Sequence, residues 1–129
     1  MATVIRRFVA LVIVVTTLSA CTTTGHLVYF NTNGERKIAC ETEFFGAPSV
    51  DIHAVRYTLS YCAQQAVAKG FKVEDESLLD MDLSVPDAPN GEPWTFESAT
   101  ALYKANKLTD KEYGYIVANV DLGLQEVTQ

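Results

Sequence analysis

The chain has 129 residues, 48% of them hydrophobic, 10% aromatic and 20% charged, with a formal net charge of −6. That is room for one domain rather than two. The composition is not that of a disordered chain, and the acidic balance disfavours a nucleic-acid binder that works by neutralising phosphates.

The N-terminus carries Arg6 and Arg7, then an uncharged, mostly apolar run from Phe8 to Thr17, then Leu18-Ser19-Ala20-Cys21. A charged start, an apolar stretch and small residues form the layout of a secretory signal. The apolar stretch is shorter than the roughly 20 residues a membrane span needs. The run Leu18 to Cys21 resembles a bacterial lipobox. That resemblance implies a type II signal peptide over residues 1–20, expected as a helix. It implies a diacylglycerol on the Cys21 thiol, cleavage before Cys21, and acylation of the new amino group. Thr22 in place of an aspartate resembles outer-membrane sorting. Three acyl chains anchor stably, because each buried methylene adds about 0.8 kcal/mol and one chain alone binds marginally. Residues 21–25 are then expected as a short lipidated tether. Removal of Arg6 and Arg7 takes the net charge from −6 to −8.

With Cys21 assigned to lipid, Cys40 and Cys62 form an even pair in an oxidising compartment. A disulfide between them closes a loop of about 23 residues and is the economical reading; two buried thiols are the alternative. No CxxC or HxxxH spacing points to a metal.

Along the mature chain, His26 to Phe30 is rich in β-formers, and Asn33-Gly34 supplies a tight turn before Arg36 to Cys40. This predicts a hairpin of strands near 26–32 and 35–41. Phe44 to Pro48 is expected as a loop. Ser49 or Asp51 is placed to cap a helix over about 50–69. Its apolar or small residues, Ile52, Val55, Leu59, Cys62, Ala63, Ala66 and Val67, fall on one stripe. Gly70 ends it, and Phe71 to Glu74 alternates as a third strand. Residues 74–93 are acidic and end in a Pro- and Gly-containing loop, with Leu78 to Leu83 as a short strand or partly buried turn. Thr95 is placed to cap a helix over 96–106, and Thr109 to Glu112 is a capping box opening a last helix over 110–121.

The stretch Ala101 to Tyr113 resembles the short C-terminal helical hairpin of many bacterial proteins, with Asn106-Lys107 where that family has glycine. The resemblance implies an oligomerisation or docking element; a hairpin completing this domain's own core is the other reading. The expected organisation is a signal at 1–20, a tether at 21–25, an α+β domain at 26–93 and a helical hairpin at 94–129. The expected fold is α+β: a small antiparallel or mixed sheet of three or four strands, covered by one long helix and followed by the helical pair.

For chemistry, His53 lies near Asp51 and Arg56 at a helix start and is expected to face solvent. No G-x-S-x-G, P-loop, GxGxxG or HExxH pattern is present. Asp80-Met81-Asp82 begins like an EF-hand loop, but Val85 and Gly91 stand where glycine and glutamate are required. Phe44, Phe45 and Trp94 are candidates for a partner-binding surface. The function expected is a non-catalytic, lipid-anchored envelope module. It would be held in the bilayer through Cys21 and would bind an envelope protein or cell-wall component, with no cofactor, metal or nucleic acid. An envelope enzyme, cation-dependent through Asp80, Asp82 and Asp87, and a carrier of a small apolar ligand are the rival readings.

Overall fold

The computed structural model describes residues 22–125. The expected signal helix and Cys21 lie outside the described residues. The fold is α+β. Strands β1 (Thr22–Phe30) and β2 (Arg36–Phe45) form an antiparallel hairpin, and β3 (Lys72–Val73) pairs antiparallel with the other edge of β1. Helix α1 (Pro48–Ala68) covers one face of this three-stranded sheet. Helices α2 (Phe96–Lys104) and α3 (Asp110–Asp121) follow a long segment with two 3-10 turns, Glu76–Asp80 and Pro89–Gly91.

The hairpin is tied at its turn by Asn31. Its Oδ1 accepts from the amides of Asn33 and Glu35, both at 3.0 Å, and Gly34 takes φ +78°. Both strands run further than their composition suggested. Thr22 to Gly25, expected as a tether, pair with Phe45 to Thr42, so the sheet begins one residue after Cys21. Phe44 and Phe45, expected in a loop, close β2. The physical reason lies in Gly25. A Cβ there would stand 2.6 Å from Val55 Cγ1 and 3.0 Å from Leu59 Cδ1, so the absent side chain lets β1 press against α1. The β-branched threonines before it suit an extended backbone.

A bulge interrupts the hairpin. Gly25 pairs with Thr42 and Leu27 with Ala39, which leaves His26 opposite both Cys40 and Glu41. Cys40 takes φ +53°, a left-handed conformation rare for a residue with a Cβ. The bulge changes side-chain parity. Ile38 faces away from α1 and is 53% exposed, whereas Cys40 turns in beneath α1. Alternation alone would put Ile38 and Cys40 on one face; the bulge puts them on opposite faces. Cys40 and Cys62 stand at disulfide distance, with Cα atoms 6.4 Å apart.

Helix α1 starts with Pro48 at its first turn, two residues before the expected start, and neither Ser49 nor Asp51 caps it. Proline is pre-set for that position and gives up no needed N–H. Val55 lies against β1, and Leu59, Cys62, Ala63 and Ala66 join the core beneath the sheet. A second flank, with Ala54 and Tyr57, packs on Tyr115 and Ala118 of α3. Ile52 and Val67, placed on the expected stripe, are instead exposed.

The C-terminal pair forms as its caps predict. Thr109 Oγ1 accepts from the Glu112 amide at 3.1 Å, and Glu112 Oε2 accepts from the Thr109 amide at 2.8 Å. Thr95 and Ser98 make a second capping box. After α2, Asn106 takes φ +57° while the Lys107 amide reaches back to the Leu102 carbonyl at 2.9 Å. Asparagine thus takes the left-handed position that glycine commonly fills at a helix end. Helix α3 packs on α1 through Gly114. A Cβ at that position would lie 2.6 Å from the Val50 carbonyl oxygen, 2.9 Å from His53 Cβ and 3.2 Å from the Ala54 amide nitrogen.

Because two of those three neighbours are backbone atoms, Gly114→Ala should destabilise the domain. Removing a mid-helix glycine returns at most about 1 kcal/mol of helix propensity, while overpacking of this kind costs about 1–3 kcal/mol. Thermal melts should show a net fall in Tm; an unchanged or raised Tm would contradict this packing. For the cysteines, protein isolated without reductant should be lighter than its reduced form by two hydrogens and yield one cross-linked peptide pair. Cys62→Ser should cost about 3 kcal/mol. Two freely alkylated thiols would overturn the pairing.

Candidate functional site

The three aromatic residues expected at a contact surface do not come together as one. Trp94 is 4% exposed and belongs to the core with Ala99 and Ile116. Its indole N–H donates to the Pro86 carbonyl at 2.6 Å, and its amide donates to Gln125 Oε1 at 2.7 Å. Trp94 is therefore a core residue and not a contact residue. Its place at a loop-to-helix junction suited either role, and Gln125, which holds it, lies 31 residues away. Phe44 is half-buried against Tyr57 and Tyr115. Of the three, Phe45 alone is a surface residue, 69% exposed.

Strand pairing puts Phe45 directly opposite Thr22, the first residue after Cys21. The chain then turns through Gly46 and Ala47 into Pro48 and Ser49 at the start of α1, and all four are exposed. From Phe45 to Ser49 the surface is uncharged. The residues that sequence reasoning missed here are Gly46 to Ser49. Their one signal is a five-residue stretch free of charge in an acidic chain.

Beneath this end lies Asp51, only 6% exposed. Its Oδ2 is buried and has no hydrogen-bond partner, and a Cβ at Gly46 would stand 3.3 Å from its Oδ1. Burial pushes the Asp51 carboxyl above its ordinary pKa. Asp110, at the start of α3, is held in the opposite sense. The Tyr103 hydroxyl donates to its Oδ1 at 2.6 Å and Ser49 adds a second hydrogen bond, and both hold its carboxyl below the usual value.

The other candidates separate. His53 is half-buried, edge-on to Tyr115 with ring centroids 6.5 Å apart, instead of facing solvent. It lies where α3 crosses α1 at Gly114, a contact invisible in local spacing. Asp82 accepts from the Ser84 amide at 2.9 Å, and that bond is the main cause of its lowered pKa. Among the described residues, no three His, Cys, Asp or Glu side chains gather as metal ligands. An open apolar depression of about 220 Å³ lies beside Cys40 and Cys62, lined also by Leu27, Tyr29, Ala66 and Phe71. It is smaller than the roughly 300–1,000 Å³ of ordinary small-molecule sites. No described helix is long and apolar enough to cross a membrane. No protein-family model matches the chain, and no curated protein or solved structure matches it significantly.

The buried carboxylate yields a pH test. A folded-state pKa above the unfolded value means the folded chain holds the Asp51 proton more tightly. Stability from this group is complete below the ordinary carboxyl value of 3.8 and is lost as pH rises through the raised folded pKa. Asp51→Asn should therefore raise Tm at pH 7, and its advantage should shrink as the pH falls towards 3.8 and below. An equal difference at pH 7 and pH 3 would show that ionisation of Asp51 is not the cause.

Proposed function

We propose that this protein is a bacterial envelope lipoprotein, anchored by acyl chains on Cys21 in the outer rather than the inner membrane. Its folded domain acts as a non-catalytic module that binds an envelope protein or a cell-wall component. The observation that carries the reading is the run Leu18-Ser19-Ala20-Cys21 behind Arg6, Arg7 and an apolar stretch. It ends where the folded domain begins: β1 opens at Thr22. Cleavage before Cys21 would release the signal and leave the sheet intact. A cysteine pair at disulfide distance agrees with export to an oxidising compartment. The binding role rests on the domain's small size, its acidic surface and the absence of a catalytic motif in its sequence.

The test is made in cells fed labelled fatty acid. The wild-type chain should incorporate label and lose residues 1–20. Cys21→Ser should leave the signal attached and incorporate none. Equal label in both would overturn the lipoprotein reading.

A further inference from the structure

We propose that the end of the domain formed by Phe45 to Ser49 lies in the bilayer interface, so that the protein rests on its membrane in one orientation instead of swinging from its anchor. This deepens the anchoring reading above and rests on it. The occupant is a lipid surface, and three observations on that one end select it.

The first is distance. Thr22 pairs with Phe45 across the hairpin. Paired Cα atoms stand about 4.5–5.5 Å apart, and one trans peptide adds 3.8 Å. Phe45 Cα thus lies within about 9 Å of the Cys21 Cα by covalent and ladder geometry alone. Acyl chains on Cys21 start at the membrane interface, so the Phe45 ring has that interface within reach. The second is chemistry. Phe45 is 69% exposed, more than Ile38, Ile52, Val67 or Phe96, and Gly46, Ala47, Pro48 and Ser49 beside it are exposed and carry no charge of their own. An exposed aromatic ring beside small side chains suits the headgroup boundary, where amphipathic elements bury their apolar side about 5–10 Å deep. The third is slack. Thr22 to Gly25 are fixed in the ladder, with Gly25 closed against Val55 and Leu59. They cannot pay out as a linker that would lift the domain away.

A second copy of the chain on Phe45 would also cover the ring, but it would require two anchored molecules to meet end to end at the membrane surface. The lipid needs no second partner, since anchoring itself brings it there at high effective concentration.

The test uses the full chain, processed in a bacterial envelope and purified with its acyl chains. It is reconstituted in phosphatidylethanolamine–phosphatidylglycerol vesicles, with and without brominated acyl chains. Phe45→Trp places a reporter at the proposed contact. Ile38→Trp places one on the same outer face of β2, seven residues and about 24 Å further along the strand. Trp94 is buried and supplies a background measured in wild-type protein. Intact mass establishes acylation for each sample. The expected result is acylated protein in which Phe45→Trp emission shifts to the blue and loses most of its added intensity to bromine, while Ile38→Trp keeps its own. Acylated protein with no more quenching at position 45 than at 38 would overturn the docking and leave the anchor standing. Protein without acyl mass would overturn the anchor and the docking together.

Discussion

Helix α1 is packed against the sheet, α3 and the segment after β3, and the rest of the domain is arranged around that constraint. The sheet closes one side through Leu59, Cys62, Ala63 and Ala66, and α3 closes another through Ala54 and Tyr57. The segment after β3 closes a third at Leu78. A helix enclosed in this way has to satisfy its polar groups internally, because a buried donor or acceptor without a partner costs about 1–3 kcal/mol. Thr58 bonds back to the Ala54 carbonyl at 3.0 Å, and Ser60 Oγ donates to the Leu78 carbonyl at 2.6 Å. Tyr57 donates to the Leu83 carbonyl at 2.9 Å and accepts from Asn119 Nδ2 at 2.8 Å. Asn119 Oδ1 in turn accepts from Gln125, whose Oε1 holds the Trp94 amide.

That chain of hydrogen bonds runs from the acidic segment, through α1 and α3, to the residue that opens the second half of the protein. It removes the independence that a boundary near residue 93 would suggest. Tyr115 of α3 lies edge-on to Tyr57, centroids 5.1 Å apart, while Tyr113 stacks on Tyr103 of α2 at 4.3 Å. One flank of α3 therefore serves α1 and another serves α2. The resembled helical-hairpin family implies a docking element, but here the apolar side of α3 is used within the domain. What the pair leaves outside is Phe96, half-exposed at the start of α2.

The features legible in the sequence are those set by neighbours along the chain. The turn at Asn33-Gly34, the caps at Thr95 and Thr109 and the stop at Gly70 depend on a few adjacent residues, and each forms near its expected place. What escaped depends on contacts across the fold. Thr22 to Gly25 look like a linker until β2 continues to Phe45 and Gly25 is seen against α1. Ile38 looks inward by alternation until the left-handed residue at Cys40 changes the parity. Tyr57, Ser60 and Thr58 look polar until a second and third neighbour cover α1. Gly114 carries no local signal, because its neighbours Val50, His53 and Ala54 lie some 60 residues earlier. For the candidate site, one of three aromatic residues has the exposure a contact surface needs. Local composition does not distinguish an aromatic that tops a core from one that faces out.

The direction of the strands decides how an anchor at Cys21 would present the domain. β1 leads away from Thr22, and at its far end β3 pairs through Tyr29 and Phe30. The Glu74 amide donates to the Val28 carbonyl there, and the acidic run Glu74-Asp75-Glu76 leaves the sheet at that end. The hairpin turn Asn31 to Glu35 is also there. The Phe45 end and the hairpin-turn end are thus separated by the length of β1, about 30 Å for nine strand residues, and at the turn end Glu74 meets Arg36 at 3.9 Å and Glu35 meets Lys37 at 3.5 Å. The ladder that fixes Thr22 to Gly25, with Gly25 closed against Val55 and Leu59, would hold the Phe45 end beside an anchor at Cys21.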